Sequence, residues 1–170
     1  NLSTSRILED VATSSGARLY RAAVGEINVA RAMERERAVI GGEGNGGVIL
    51  PDIHLTRDSA VATALVLQML LQSGTSFEQL VGGIPSYVIV KDKLPRDAGS
   101  LESAYGKLEE RLAAPASDRQ DGLRLDWPNE RRWVHLRASG TEPILRIIAG
   151  APTADEAKAL VDAARKALAG

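Results

Sequence analysis

Apolar residues recur at two spacings along this chain, and the alternation between them constrains the fold more than any other feature. Ile7, Leu8, Val11 and Ala12 fall at helical spacing, with Ser3 to Ser5 as caps and Gly16 as the stop. Ala17 to Ala23 reads as a short strand, Glu26 to Glu36 as a charged amphipathic helix, and Ala38 to Ile40 as a strand running into Gly41. Val48 to Leu50, just before Pro51, reads as another strand. Asp58 to Gln72 is a long, mostly apolar helix closed by Gly74, expected to be buried on most sides. Ser76 to Gln79 has capping-box spacing and opens a short helix ending at Gly82-Gly83, with Pro85 beyond. Strand alternating with helix is the pattern of an α/β layer.

The domain boundary falls there, dividing the chain into 1–85 and 86–170. The second part reads as strand (Tyr87 to Lys93), helix (Leu101 to Ala113), three strands (Leu123 to Trp127, Arg132 to Arg137, Ile144 to Ala149) and helix (Asp155 to Leu168). Thr153 and Glu156 form a capping box for the last helix. Pro128 to Arg131 makes a hairpin-like turn, so this part is an α+β domain, a four-stranded antiparallel-type sheet with helices on one face. The whole is of the α/β class, a mixed α/β domain followed by an α+β one.

A chain of 170 residues can bury roughly two-thirds of its unfolded surface and needs no staples. With 21 Lys plus Arg against 22 Asp plus Glu, the net charge of −1 provides no field to attract nucleic acid or an anionic membrane, and neither is expected as a partner. The absence of Cys excludes disulfides, Cys-ligated zinc and a thiol nucleophile, and makes a reducing, cytoplasmic setting the default. The chain starts at Asn1 without Met or a basic-then-apolar signal, the expectation for a fragment or a processed chain. No apolar run is long enough to span a bilayer. Oligomeric state is left open.

Arg137-Ala-Ser-Gly-Thr-Glu-Pro143 lies where one strand ends and the next begins. A phosphate needs a planar guanidinium fork, short hydroxyl donors and exposed backbone N–H groups within one turn, and Arg137, Ser139, Gly140 and Thr141 supply all of these. Composition alone leaves a plain polar turn equally open. Arg146 follows on the next strand as a second cation whose direction depends on the alternation of that strand. Gly41 to Gly47 contains G-x-G-x-x-G, but Val-Ile-Leu-Pro follows in place of a helix, so no dinucleotide site results, and no Lys-Ser closes a Walker A loop. What remains is a loop in which Glu43 and Asn45 project groups suited to vicinal hydroxyls, or a turn of conformational use only. Asp52, Asp58, His54 and His135 lack the spacing of a metal-ligand set. His135 reads as a strand residue, and Trp127 and Trp133 as packing residues flanking the hairpin. Arg57 is a remaining basic candidate.

Arg137 to Pro143, followed by Ile-Leu-Arg146, resembles the C-terminal phosphate-binding loop of the α-D-phosphohexomutases, the family of phosphoglucomutase, phosphomannomutase and phosphoglucosamine mutase. The stretch around Glu43 and Gly46 is similar to that family's sugar-recognition loop, with Asn45 where Ser is common and Gly47 where His is common. Gly25-Glu26 resembles a further substrate loop. The resemblance implies that 1–85 is most of the third domain and 86–170 the fourth. It implies that Arg137, Ser139, Gly140, Thr141 and Arg146 bind the substrate phosphate, and that Glu43, Asn45 and Gly46 bind the sugar. Gly25 and Glu26 would lie near it. The implied substrate is a hexose phosphate or hexosamine phosphate, with phosphoglucosamine mutase the expected activity. The family's phosphoserine and magnesium loops are not found in this sequence, so no catalytic and no metal-binding residue is assigned, and magnesium is expected on a domain absent from this chain. Phosphomannomutase or phosphoglucomutase activity, a stand-alone phosphosugar-binding module and a pure interaction protein are the alternatives.

Overall fold

In the computed structural model, which describes residues 1–96 and 100–169, the chain separates into two compact units, Asn1–Pro85 and Ser86–Gly170. Residues 97–99 and 170 of the expected second domain lie outside the described residues.

In the first unit, α1 (Ile7–Ser14) and α2 (Glu26–Glu36) precede a hairpin. The α2 residues Val29, Ala30, Ala32 and Met33 are buried, the single stripe of an amphipathic helix, and Val29 and Met33 pack with Ala22 and Ile49. Strand β1 (Gly41–Glu43) pairs antiparallel with β2 (Gly47–Ile49), Gly41 opposite Ile49 and Glu43 opposite Gly47. The expected glycine-rich loop is therefore a hairpin, and residues 38–40 lie before its ladder. A strand's extent is fixed by what stands opposite it, and Gly47–Ile49 stands opposite Gly41–Glu43. At the tip, Gly46 N–H donates to Glu43 O (3.1 Å), and Gly46 takes φ 93°, which a residue with a Cβ rarely adopts.

Two expectations need correction here. Ala17 to Ala23 joins no ladder among the described residues; its order comes from Leu2 N–H donating to Ala22 O (2.8 Å) and from Arg21 bonding Asn1 O and Thr4 O, both at 2.8 Å. Helix α3 (Ser59–Ser73) forms as read, with Asp58 Oδ1 accepting from Ala60 N–H (2.7 Å) and Val61 N–H (3.0 Å), but none of its residues is buried. It packs along β2 on one side, while Leu67 and Leu71 are 55% and 84% exposed. An all-round apolar sequence says that burial is favourable, not that this unit supplies the cover. Helix α4 (Phe77–Gly82) opens with the expected reciprocal cap: Gln79 N–H donates to Ser76 Oγ (3.2 Å) and Ser76 N–H to Gln79 Oε1 (2.9 Å).

The second unit is a five-stranded antiparallel sheet, β3 (Val88–Pro95), β4 (Ala116–Asp118), β5 (Leu123–Trp127), β6 (Arg132–Ala138) and β7 (Ile144–Ala151), in the order β3-β7-β6-β5-β4. The edge strand β4 is a fifth beyond the expected four; Ala-Ser-Asp has weak strand propensity and is extended by its ladder to β5. Helices α5 (Leu101–Leu112) and α6 (Ala154–Ala169) cover one face. That face carries Leu123, Leu125 and Trp127 of β5, Val134 and Leu136 of β6, and Leu145, Ile147 and Ala149 of β7, against Leu108 and the α6 stripe Leu160, Val161, Ala164. Thr153 and Glu156 cap α6 as expected, Glu156 N–H donating to Thr153 Oγ1 (3.3 Å) and Thr153 N–H to Glu156 Oε2 (3.1 Å). Strict alternation then sends Trp133, His135, Arg137, Arg146 and Ile148 to the other face. Leu136, fully buried at the centre, is expected to cost roughly 2–5 kcal/mol when truncated to Ala, measured by chemical denaturation of the whole chain.

Candidate functional site

Each unit gathers part of the residues read as binding groups. In the second, β6 ends at Ala138 and β7 begins at Ile144, and Ser139 N–H donates to Ile144 O (2.9 Å), which closes the loop between them. Ser139 is 9% exposed. Its Oγ accepts from Thr141 N–H (3.4 Å) and from Arg146 Nη2 (3.3 Å). Gly140 and Thr141 are exposed at the rim.

The register sets Arg137 directly opposite Arg146, on one face of the sheet. Like charges in that position repel. Each is relieved by a carboxylate: Arg137 Nε lies 2.9 Å from Asp121 Oδ2 and its Nη2 donates to Oδ1 (3.4 Å), while Arg146 Nη2 donates to Glu142 Oε2 (3.2 Å). The Nε groups of both arginines are buried and donate no aligned hydrogen bond among the described residues. Arg146 and the buried Ser139 hydroxyl thus meet beside an open glycine turn, with Arg137 opposite Arg146 on the same face of the sheet, the kinds of donor an anion requires.

Asp121 is the residue sequence reading missed. It meets Arg137 through its carboxylate, and its carbonyl oxygen lies 2.5 Å from Nε2 of His135, which is fully buried one alternation before Arg137. The only signal for it is the Asp121-Gly122 turn dipeptide. Burial holds the His135 imidazole below its ordinary pKa, partly offset by the hydrogen bond to the Asp121 carbonyl. Because the folded value lies below the unfolded one, protonation favours the unfolded chain. This contribution to stability is complete above about pH 6.5 and is lost as pH falls below it. The thermal midpoint is expected to drop on acidification from neutrality, and less steeply in His135→Gln, as scanning calorimetry at several pH values would show.

In the first unit, Gly25, Glu26 and Glu43 are brought together around Arg57. Glu43 has a side chain only 7% exposed. Its Oε1 accepts from Asn1 Nδ2 (2.7 Å) and Gly25 N–H (2.9 Å), and its Oε2 faces Arg57 Nη1 (3.4 Å). Arg57 also donates from Nε to Glu26 Oε2 (2.9 Å) and from its backbone N–H to Glu26 Oε1 (2.8 Å), where Thr56 Oγ1 donates as well. The Thr56 hydroxyl, followed by the two Arg57 donors, lowers the Glu26 pKa to about 2. Glu26 is thus an ion-paired residue, beyond the helix-dipole role its position at the start of α2 explains. Asn45 and Gly46 stand exposed at the hairpin tip, away from this network.

Arg57 crosses the hairpin where Gly47 has no side chain: a Cβ there would sit 2.1 Å from Arg57 Cδ. The sequence shows Arg57 and Gly47 separately and nothing that joins them. Gly47→Ala is expected to cost about 1–3 kcal/mol by overpacking, and Gly47→Ala with Arg57→Ala less than the sum of the two single changes, as urea unfolding of the three variants would measure.

Among the described residues no three His, Asp or Glu side chains converge as a metal site, and Asp58, 3.2 Å from His54 Nε2, is committed to capping α3. No helix among the described residues is long and apolar enough to cross a membrane.

Residues 1–87 match the family model described as phosphoglucomutase/phosphomannomutase, alpha/beta/alpha domain III, and residues 88–167 that of the phosphoglucomutase/phosphomannomutase C-terminal domain. The chain belongs to this family, the α-D-phosphohexomutases, and comprises its third and C-terminal domains. It is 36% identical over 169 residues to a Thermococcus kodakarensis phosphoglucomutase/phosphomannomutase, covering 98% of this chain and 36% of that protein. It is 32% identical over 161 residues to the phosphoglucosamine mutase of Methanocaldococcus jannaschii, covering 93% and 36%. The crystal structure of a Burkholderia thailandensis phosphoglucomutase/phosphomannomutase family protein shares the fold, with TM-score 0.76 at 22% identity over 98% of this chain and 36% of that one. The chain thus spans about a third of the length of these relatives.

Proposed function

We propose that this chain is the substrate-holding part of a phosphosugar mutase that interconverts hexose 6-phosphate and hexose 1-phosphate, with glucosamine phosphate as the preferred sugar. The observation that carries the proposal is the facing pair Arg137 and Arg146 above the Ser139-Gly140-Thr141 turn. The preference for a hexosamine is supported by relatives such as the Methanocaldococcus jannaschii phosphoglucosamine mutase.

In this reading the loop grips the phosphate that does not react. Arg137 and Arg146 donate from their guanidinium groups, Ser139 and Thr141 from their hydroxyls, and Gly140 from its backbone N–H. Binding energy at that remote phosphate positions the reacting end. Sugar hydroxyls fall to Glu43 and Asn45 beside Gly46, with Gly25 and Glu26 shaping the same loop. Oε2 of Glu43 is the oxygen assigned to a hydroxyl, since its contact, 3.4 Å to Arg57 Nη1, is looser than those Oε1 makes with Asn1 and Gly25. The transferable phosphoryl group, and the magnesium that neutralises charge as it moves, belong in this reading to the remainder of a longer protein.

Arg137→Ala is expected to weaken glucose 6-phosphate binding by roughly 2 kcal/mol, the loss of a charge-assisted contact. Calorimetry on the 170-residue chain measures this, and an unchanged affinity would sink the phosphate assignment. Tighter binding of glucosamine 6-phosphate than of glucose 6-phosphate or mannose 6-phosphate tests the sugar.

A further inference from the structure

The row of opposed arginines has a third member. Strand β3 pairs antiparallel with β7, Lys93 opposite Arg146, just as Arg146 stands opposite Arg137 on β6. Residues directly opposite in an antiparallel pair share a face, with Cα atoms roughly 5 Å apart. The face is the one away from the helices. On β3, Lys91 and Lys93 are exposed, while Asp92 between them turns to the helix side and pairs with Arg165 of α6. Three neighbouring strands therefore set Lys93, Arg146 and Arg137 side by side.

Their charges are not equally compensated. Arg137 faces Asp121 and Arg146 faces Glu142. The Lys93 ammonium meets no carboxylate among the described residues; its backbone N–H donates to Asp92 Oδ1 (2.8 Å). A phosphate monoester carries about −1.5 to −2 charges at neutral pH. Two guanidinium groups already matched by carboxylates offer direction but little net field, so among the described residues the unmatched positive charge of the row rests on Lys93. Its flexible four-carbon stem lets a compact ammonium swing toward Arg146.

We propose that Lys93 is a third cationic contact of the phosphate subsite and that it selects the dianionic phosphate over a monoanion of the same shape. The proposal rests on the phosphate reading of the Arg137 loop. The test is calorimetric titration of the 170-residue chain with glucose 6-phosphate and with glucose 6-sulfate, a monoanion. Lys93→Gln is expected to weaken glucose 6-phosphate binding roughly 10-fold, as for loss of a hydrogen bond to a charged group, and to weaken the sulfate clearly less. Lys93→Arg should retain binding. Lys91→Gln, two residues along the same exposed face, should change affinity less than about twofold, as screened surface charges do. Melting curves confirm that these exposed substitutions leave the fold intact. Unchanged affinity in Lys93→Gln beside a clear loss in Arg137→Ala overturns the Lys93 contact and leaves the phosphate loop standing. No loss in either variant overturns both. Equal losses for Lys91→Gln and Lys93→Gln, or equal losses for phosphate and sulfate, would show a diffuse field and overturn the contact.

Discussion

The pairing of β6 with β7 is the interaction on which the second unit depends, because one register serves two purposes. With Leu136 opposite Ile147, both fully buried, it supplies the centre of the core. The neighbouring step along the same ladder sets Arg137 against Arg146. A shift of one residue would move every side chain to the opposite face, so the apolar contacts beneath the sheet also enforce the electrostatic opposition above it. The hydrophobic face thus holds in place an arrangement of charge that would not form unaided, and the loop between the two strands is where that arrangement meets solvent.

In the first unit the comparable role falls to Arg57. Its side chain lies over the hairpin at Gly47 and joins Glu26, at the head of α2, to Glu43, at the end of β1. Short strands with little ladder of their own are held to a helix by one guanidinium and two carboxylates. Glu43 is nearly enclosed, so its contacts count for more than those of Glu26, whose half-exposed side chain is screened by solvent.

What could be read from the residues, and what could not, follows from how local each determinant is. Helix α2 is legible to its ends because its Val29, Ala32, Met33 stripe lies within it and Gly25 immediately precedes it. The caps of α4 and α6 are equally local. The donors of the Arg137–Pro143 loop are contiguous, so the loop was readable as a set of candidates for an anion. Arg146 was legible as a candidate, yet its direction is settled only by Leu145 and Ile147 turning to the core on either side. Strand β4 exists through its partner β5, and Ala17 to Ala23 lacks such a partner among the described residues, so propensity misjudged both. Asp121 and Arg57 reach residues distant in sequence across folded chain, and nothing in their immediate neighbours announces it.

The place of β3 has a consequence for how the second unit is made. It lies at one edge of the sheet and pairs only with β7, the last strand in the sequence, with α5 and three other strands in between. A ribosome delivers roughly 5–20 residues per second, so β3 emerges seconds before the strand that completes it. During that interval Val88, Ile89 and Val90 are apolar chain with an unpaired backbone, while β4, β5 and β6 can already zip by short connections. Docking of β7 is then one event that extends the sheet beyond β6, recruits β3 and sets the cations opposite one another. The opposed cations of this unit therefore come together only once β7, its last strand, is in place.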